Sequence, residues 1–295
     1  MQLRNVLHAA IERLTSENVP SPRMNAELLL MFTLGCDRAY LHAHPERVLS
    51  GDEQARYTEA QAERSRGVPA QYITGHQEFW GMDLIVSSAV LIPRPETEHV
   101  IEAVLEVAKA GGQTPPQADR GECPPHTSLR IADVGTGSGC IALALARELP
   151  FAEIVAIDNS EAALEIARAN AARHQLESRL RFRRSDLLAG FADASFDFAV
   201  SNPPYVGESE EDQVQLEVRK FEPRNAVFAG PKGTEVIERL VPQAHAALKP
   251  GGWLVMEISG TIAEDVKALL GGWNEVQVLP DLQSIPRVVK ARKPQ

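Results

Sequence analysis

The sequence has no long apolar run and little cysteine, and each absence excludes a class of protein. No stretch of about 18 or more apolar residues occurs, so the sequence offers no transmembrane helix. The N-terminal stretch MQLRNVLHAAIERL has a helical pattern interrupted by charge, unlike a signal peptide, and we expect a soluble cytoplasmic protein. The three cysteines, Cys36, Cys123 and Cys140, are far apart and form no C-x-x-C, which argues against a disulfide framework and against a bound metal.

Positive charge is also scarce. The chain carries 30 Lys and Arg against 40 Asp and Glu, a formal net charge of −10. This balance argues against broad attraction to nucleic acid, which depends on neutralising phosphates. One local exception is SRLRFRRSD, which contains Arg179, Arg181, Arg183 and Arg184. A solvated strand face and an RNA contact would both account for that cluster.

The first part of the chain has the pattern of a helical domain. Ser21 precedes Pro22 at the start of an apolar helical pattern, which predicts a serine cap with proline at the first helical position. Ser50 and Glu53 have the spacing of a capping box, in which each side chain bonds the other residue's backbone N–H. We therefore predict a small all-α N-terminal domain over residues 1–75.

The pattern changes after residue 75. Residues 76–93 combine aromatics, glycines and alternating apolar residues, which predict a linking β-hairpin. The stretch IPRPE then leads into a helix that we expect to end at about Ala110. Residues 111–128 are rich in Gly, Pro and polar side chains, and we expect them to form a mobile surface insert.

Strand and helix patterns alternate from Leu129 onward. The predicted strands are LRIADVG, EIVAIDNS, RLRFRRSD, FDFAVSNPPY and WLVMEIS, with helical patterns between most of them. This order predicts a parallel sheet with helices on both faces, a doubly wound α/β domain that begins at residue 94 and runs to residue 295. In such sheets ligands bind beyond the carboxyl ends of the strands, so the strand ends are the candidate site.

The first of these strands ends in a glycine-rich loop, DVGTGSG. Gly135, Gly137 and Gly139 let the backbone turn sharply and approach a ligand, and the following helix adds its N–H groups. A dinucleotide fingerprint, G-x-G-x-x-G, would need glycine where the chain has Cys140. The G-x-G-x-G pattern therefore favours a ligand other than a pyrophosphate.

The second strand ends at Asp158, about 20 residues after the loop, the spacing at which an acid meets ribose hydroxyls in nucleotide-binding βαβ units. Two carboxylate oxygens can accept both hydroxyls of one ribose. The alternative is that Asp158 only caps the helix EAALEIA. Its position after the glycine loop favours the ligand role.

The fourth strand runs into Asn202-Pro203-Pro204-Tyr205. Proline has no N–H, so these prolines present only carbonyl acceptors, and the Asn202 side chain can add one more. A cluster of acceptors without competing donors suits a target NH₂ group, while Tyr205 offers a flat face for a planar amide or base. A proline-rich turn with a packed aromatic is the plain structural alternative.

Together these residues resemble the class I S-adenosylmethionine-dependent methyltransferases. The resemblance implies that the glycine loop lies against the methionine part of S-adenosyl-L-methionine, that Asp158 binds the ribose, and that Asp186 and Leu187 lie near the adenine. The residues assigned to the cofactor in this way are Gly135, Thr136, Gly137, Ser138, Gly139, Asp158, Asp186, Leu187 and Asn202.

The wider sequence resembles the HemK/PrmC family of peptide chain release factor N5-glutamine methyltransferases. The resemblance rests on residues 77–98 (QEFWGMDLIVSSAVLIPRPETE), on residues 219–230 (RKFEPRNAVFAG), on Asn-Pro-Pro-Tyr and on the helical front end. It implies a doubly wound, Rossmann-like class I methyltransferase domain behind an N-terminal domain that recognises class 1 release factors. The implied reaction methylates the glutamine of their Gly-Gly-Gln motif and leaves S-adenosyl-L-homocysteine.

The same resemblance implies roles for individual residues of the substrate site. Asn202 and the Pro203 carbonyl would hold the glutamine amide as the catalytic pair, with Pro204 and Tyr205 beside it. Arg94 and Glu96 would line the cleft, or would only be favourable charges at a helix start.

Two other functions compete with this interpretation. Asn-Pro-Pro-Tyr is shared by enzymes that methylate adenine or guanine, but a nucleic-acid enzyme predicts a basic face, and the net charge speaks against it. A non-catalytic binding module that keeps the fold is the second, and the intact glycine loop with Asp158 and Asn202 argues against it.

Overall fold

A computed structural model describes residues 1–110 and 129–295, and the predicted insert at 111–128 lies outside the described residues. The chain divides into two compact units. The first unit contains Met1–His76 together with Gln215–Phe221, and the second contains Gln77–Val214 and Glu222–Gln295. No helix in the described ranges is both long and apolar enough to span a membrane.

The first unit is helical. Its helices are α1 (Leu3–Ser16), α2 (Pro22–Leu34), α3 (Arg38–Ala43), α4 (Gly51–Ser65) and α5 (Ala70–Thr74). Leu14, Leu29 and Leu30 are fully buried between them, and the Tyr57 hydroxyl donates to the Ala26 carbonyl at 2.9 Å. Burial of such side chains is worth about 1.5–3 kcal/mol each, which gives this unit its own core.

Both helix starts predicted here are at the expected residues, but only one of them has a side-chain cap. The capping box is present, since the Glu53 N–H donates to Ser50 Oγ at 3.1 Å and the Ser50 N–H to Glu53 Oε2 at 2.9 Å. Ser21 has a left-handed φ of 48° and makes no side-chain cap. Asn25 Nδ2 instead donates to the Pro20 carbonyl at 2.7 Å, and the serine at this boundary contributes only its backbone.

A discontinuous segment completes the first unit. Helix α9 (Leu216–Phe221) comes from far along the sequence. The buried Arg64 side chain, 4% exposed, pairs with Glu217 at 2.9 Å and donates from Nε to Asn25 Oδ1 at 2.7 Å. A buried guanidinium needs such partners, so this pairing ties α9 to α2 and α4.

A two-stranded hairpin follows α5. Its strands are β1 (His76–Phe79) and β2 (Met82–Ile85). Trp80 and Gly81 form the turn with φ values of 52° and 66°. Positive φ at both central residues is the type I′ turn that fits the twist of a tight hairpin.

The second unit contains a seven-stranded mixed sheet. Its strands are β3 (Arg130–Val134), β4 (Glu153–Asp158), β5 (Leu180–Arg184), β6 (Phe196–Ser201), β9 (Leu248–Glu257), β10 (Asn274–Pro280) and β11 (Pro286–Arg292). Their spatial order is β10-β11-β9-β6-β3-β4-β5. The five predicted strands are parallel to one another, whereas β11 runs antiparallel to both β9 and β10.

The predicted parallel arrangement of five strands is confirmed, and two further strands that were not predicted extend the sheet at one edge in antiparallel orientation. Strands β10 and β11 are joined by a short turn in which the Asp281 carboxylate accepts the N–H groups of Gln283 and Ile285, at 2.9 and 3.0 Å. A turn this short can only connect antiparallel neighbours, because parallel strands need a long crossover.

Helices cover both faces of the sheet. They are α6 (Glu98–Ala110, after a 3₁₀ turn at Pro95–Thr97), α7 (Cys140–Glu148), α8 (Glu161–Arg173), α11 (Glu235–Ala247) and α12 (Ala263–Leu269). Smaller elements between β6 and α11 are β7 (Val206–Gly207), α10 (Arg224–Val227) and β8 (Phe228–Gly230). Strand β3 contributes to two buried apolar clusters. Ile131 belongs to one of them and Val134 to the other.

Arginine side chains of the cluster at 179–184 form hydrogen bonds with backbone carbonyls. Arg179 donates to the Leu149 carbonyl, Arg183 to the Gly190 carbonyl and Arg184 to the Asn159 carbonyl, at 2.9 to 3.0 Å. These bonds give three of the four side chains a role in holding loops.

Candidate active site

The glycine loop lies at the carboxyl end of β3, at the point where the strand order reverses. Strand β3 has β4 on one side and β6 on the other, so the chain leaves the centre of the sheet in both directions. The crevice between such diverging connections is where doubly wound sheets bind ligands. The loop after β3 and Asn-Pro-Pro-Tyr after β6 meet at this crevice.

Positive φ values shape the loop. Gly135, Gly137 and Gly139 have φ of 74°, 54° and 84°. A Cβ at Gly139 would lie 3.2 Å from the Ala167 Cβ of α8, whereas a Cβ at Gly135 would meet no atom within 4 Å. A side chain at position 139 would therefore crowd helix α8, whereas the space beside the Gly135 backbone is unoccupied by protein atoms.

Asp158 holds the loop from the neighbouring strand. Its Oδ2 accepts the Gly137 N–H and its Oδ1 accepts the Ser160 N–H, each at 2.9 Å. The helix that follows is capped by Ser160, whose Oγ accepts the Ala163 N–H at 3.2 Å. The alternative role of Asp158 as that helix cap is therefore wrong, and each carboxylate oxygen keeps lone-pair capacity for a further donor.

Asp133 is a site residue that the sequence prediction missed. It ends β3 fully buried, and its Oδ2 accepts the Thr136 hydroxyl at 2.6 Å and the Ala142 N–H at 3.1 Å. Its Oδ1 and the Ser138 Oγ are buried without a hydrogen-bond partner among the described residues. Burial raises the pKa of Asp133 to about 7. The available signal was an acid inside the apolar stretch IADV, residues 131–134.

A cavity of about 370 Å³ connects these elements. Of the predicted cofactor residues, all but Gly139 line it. Asp186 also forms an ion pair with Arg239, another lining residue, and Leu187 has a left-handed φ of 52°. Pro204 lines the cavity too, whereas Pro203, Tyr205, Arg94 and Glu96 do not.

Asn202 enters a chain of buried hydrogen bonds. Its Nδ2 donates to Thr97 Oγ1 at 3.0 Å, and the Thr97 hydroxyl donates to Glu257 Oε2 at 2.6 Å. The Tyr205 hydroxyl donates to Glu257 Oε1 at 2.9 Å. Burial raises the pKa of Glu257, and burial beside the negative Glu257 raises the pKa of Tyr205. Thr97 and Glu257 are each 1% exposed and were not predicted as site residues.

Arg94 has a buried partner. It forms an ion pair with Glu222, whose side chain is 1% exposed. The second carboxylate oxygen of Glu222 accepts the Ile92 N–H at 3.0 Å. Glu96 lies in the short 3₁₀ turn that precedes α6. The structure therefore gives Arg94 a structural partner and places neither residue on the cavity wall.

The fold and this site define the class of protein: a class I methyltransferase. Solved structures with a similar fold include a T. thermophilus 16S rRNA N2 methyltransferase in complex with AdoMet and guanosine, with a TM-score of 0.51 at 21% identity over 74% of this chain and 49% of that one. A methyltransferase from Pyrococcus furiosus matches with a TM-score of 0.50 at 18% identity, over 81% of this chain and all of that one. These likenesses concern the fold alone.

Sequence comparison gives the family. Residues 5–75 match the model of the PrmC N-terminal domain, and residues 122–220 match the methyltransferase small domain. A release factor glutamine methyltransferase of Koribacter versatilis is 54% identical over all of this chain and 99% of its own length. Another from Chlorobaculum tepidum is 42% identical over 96% of this chain and 94% of its own. The chain belongs to the release factor glutamine methyltransferase family.

Proposed function

We propose that the protein transfers a methyl group from S-adenosyl-L-methionine to the side-chain amide nitrogen, N5, of the glutamine in the Gly-Gly-Gln motif of class 1 release factors. The observation that carries the proposal is that Asn202 and Pro204 line the same cavity as the glycine loop and Asp158. Full-length similarity to proteins named release factor glutamine methyltransferases supports the choice of substrate.

The residues around the cavity fit S-adenosylmethionine. Gly135 and Gly137 leave the loop backbone accessible, and two buried polar atoms, Asp133 Oδ1 and Ser138 Oγ, have no hydrogen-bond partner in the part of the chain that the structure describes. Asp158 keeps acceptor capacity suited to a ribose diol. We assign the methionine part to Gly135, Thr136, Gly137, Ser138 and Gly139, the ribose to Asp158, and the adenine to Asp186 and Leu187.

When bound, the cofactor supplies a methyl group on a positively charged sulfonium. The chain's own part is to prepare an amide nitrogen, which is a poor nucleophile because its lone pair is delocalised. We assign the Asn202 side-chain oxygen and the Pro203 carbonyl to the two N–H bonds of the glutamine amide. Acceptors fixed in advance orient the nitrogen and stabilise the positive charge that develops on it, effects worth several kcal/mol each.

No strong general base is required by this arrangement, because the nitrogen becomes acidic only once it is methylated. Pro204 and Tyr205 would flank the amide, with the Tyr205 hydroxyl held by Glu257 at 2.9 Å. We keep Arg94 and Glu96 as proposed cleft residues, although the ion pair of Arg94 with Glu222 favours a supporting role for Arg94. The helical residues 1–75 are proposed to bind the release factor.

Labelled S-adenosylmethionine tests this function directly. The protein is incubated in separate reactions with a class 1 release factor and with a variant in which the glutamine of Gly-Gly-Gln is replaced by alanine, and further reactions contain RNA or DNA instead. We expect label on the first and none on the second. Label on RNA or DNA with none on either release factor would overturn the proposal in favour of a nucleic-acid methyltransferase.

A further inference from the structure

The side-chain amide of Asn202 has two chemically different ends, and its function depends on which end faces the target. The oxygen accepts hydrogen bonds and the nitrogen donates them. If the nitrogen faced the target, one NH₂ group would meet another, and both would lose their partners. The proposed reaction therefore requires a device that fixes the amide with its oxygen toward the cavity.

The buried hydrogen-bond chain contains such a device. An ionised Glu257 can only accept, so both hydroxyl groups that reach it must donate: Thr97 to Oε2 at 2.6 Å and Tyr205 to Oε1 at 2.9 Å. Thr97 has a single hydroxyl proton, and this bond uses it. Its oxygen can then only accept from Asn202, which must present Nδ2 at 3.0 Å. The Asn202 side-chain oxygen is then the atom left to face the target.

The burial of these side chains makes it costly for them to change their donor and acceptor roles. Thr97 and Glu257 are each 1% exposed, so water is not available to replace a lost partner. A buried polar group without its bond is costly, and neighbouring bonds in such a chain strengthen one another. The hydrogen-bond chain joins the carboxyl ends of two adjacent strands, since Asn202 follows β6 and Glu257 ends β9, while Thr97 precedes α6.

We propose that Thr97 and Glu257 are positioning residues, which hold the Asn202 amide with its oxygen toward the substrate nitrogen. The inference rests on the proposed function, because it takes an NH₂ group as the target. Neither residue is required to touch the substrate; both act through Asn202. Their loss would leave the cofactor residues in place and impair the chemical step.

Replacement of Thr97 is the direct test, with labelled S-adenosylmethionine and a class 1 release factor as substrates. Thr97→Val keeps the shape and removes the hydroxyl, and we expect kcat to fall about tenfold, the equivalent of one hydrogen bond, while cofactor affinity stays within about twofold. Thr97→Ser restores the hydroxyl and should restore kcat. The matched control is Thr234→Val, which removes another buried threonine hydroxyl that donates to a carboxylate, Glu238, at 2.7 Å. The control should keep kcat.

A double-mutant cycle separates positioning from a general loss of stability. If Thr97 acts through Asn202, Thr97→Val has no further effect on kcat in the Asn202→Ala background. Independent losses that multiply would overturn the inference, as would equal kcat values for Thr97→Val and Thr234→Val. Absence of labelling by the wild-type protein would instead count against the proposed function, so the two failures are distinguishable.

Glu257→Gln provides a second variant if Thr97→Val does not fold. It keeps the shape but lets the side chain donate as well as accept, so the order of donors is no longer imposed. We expect kcat of Glu257→Gln to fall several-fold. We also expect kcat of the wild type to decline toward acid, as Glu257 becomes protonated, and this decline to be absent from the variant. The other titratable or charged groups facing Glu257, namely Tyr205, Arg287, Glu96 and Cys140, remain in this variant. Identical pH profiles of kcat would overturn the role of Glu257.

Discussion

Gly233 supports the Asn-Pro-Pro-Tyr segment from outside the cavity, and Gly233→Ala tests that support. Its φ is 87°, and a Cβ there would lie 2.6 Å from the Tyr205 carbonyl oxygen and 3.0 Å from the Gly207 nitrogen. The left-handed backbone costs an L-residue about 1–2 kcal/mol. Overpacking against backbone adds about 1–3 kcal/mol. We therefore expect Gly233→Ala to lower the free energy of unfolding by about 2–5 kcal/mol.

Gly251→Ala is the matched control, because Gly251 has a similar φ of 77° and its Cβ would meet the nearest atom, in Arg292, at an ordinary 3.5 Å. Only the backbone cost of about 1–2 kcal/mol should appear there. Trp80, Trp253 and Trp273 all belong to the second unit, so urea unfolding followed by tryptophan fluorescence reports on it. Gly233→Ala should also lower kcat by displacing Tyr205. Equal destabilisation by both variants, with kcat retained, would refute the reasoning.

Two further predictions concern the cofactor side of the cavity. Asp158→Ala removes the acceptors beside the glycine loop and should weaken S-adenosylmethionine binding in calorimetry by about ten- to a hundredfold, the worth of one charged hydrogen bond. The exposed Asp193→Ala is its control, and equal affinities would contradict the assignment. Burial raises the pKa of Asp133 from 3.8 to about 7, so its favourable contribution to stability is present below 3.8 and is lost as the pH rises through 7. Urea unfolding at pH 5 and pH 8 should therefore show Asp133→Asn gaining on the wild type at the higher pH, and a difference independent of pH would exclude this linkage.

Local patterns predicted the elements whose causes are local. The capping box at Ser50 needs only residues three apart, and the helix predicted after IPRPE is present over Glu98–Ala110. Ser21 and Pro22 occupy the predicted N-cap and first helical positions, but the Ser21 side chain makes no cap bond, and Asn25 Nδ2 bonds the Pro20 carbonyl at this boundary. The antiparallel edge of the sheet depends on the turn held by Asp281, whose two N–H partners gave no strong pattern in the sequence.

The residues of the candidate site also differ in whether local sequence or long-range pairing places them. The glycine loop and Asp158 could be predicted because strand ends of a parallel sheet converge at one edge. Thr97 and Glu257 could not, since they are 160 residues apart and only the folded sheet joins them. The buried partner of Arg94 lies 128 residues away, at Glu222. Pairings at such distances follow from topology, and no single stretch of sequence contains them.

The return of Gln215–Phe221 to the first unit has a consequence for the protein's modularity. A chain cut at residue 77 would keep α9 in the catalytic half while discarding Arg64, the buried partner of Glu217. The exposed Leu216, already 56% accessible, and the neighbouring Phe221 would then lack the fold that holds their helix. The helical first unit is therefore not a single contiguous N-terminal segment of the chain. Engineered chimeras that replace this unit should exchange residues 1–76 and 215–221 together.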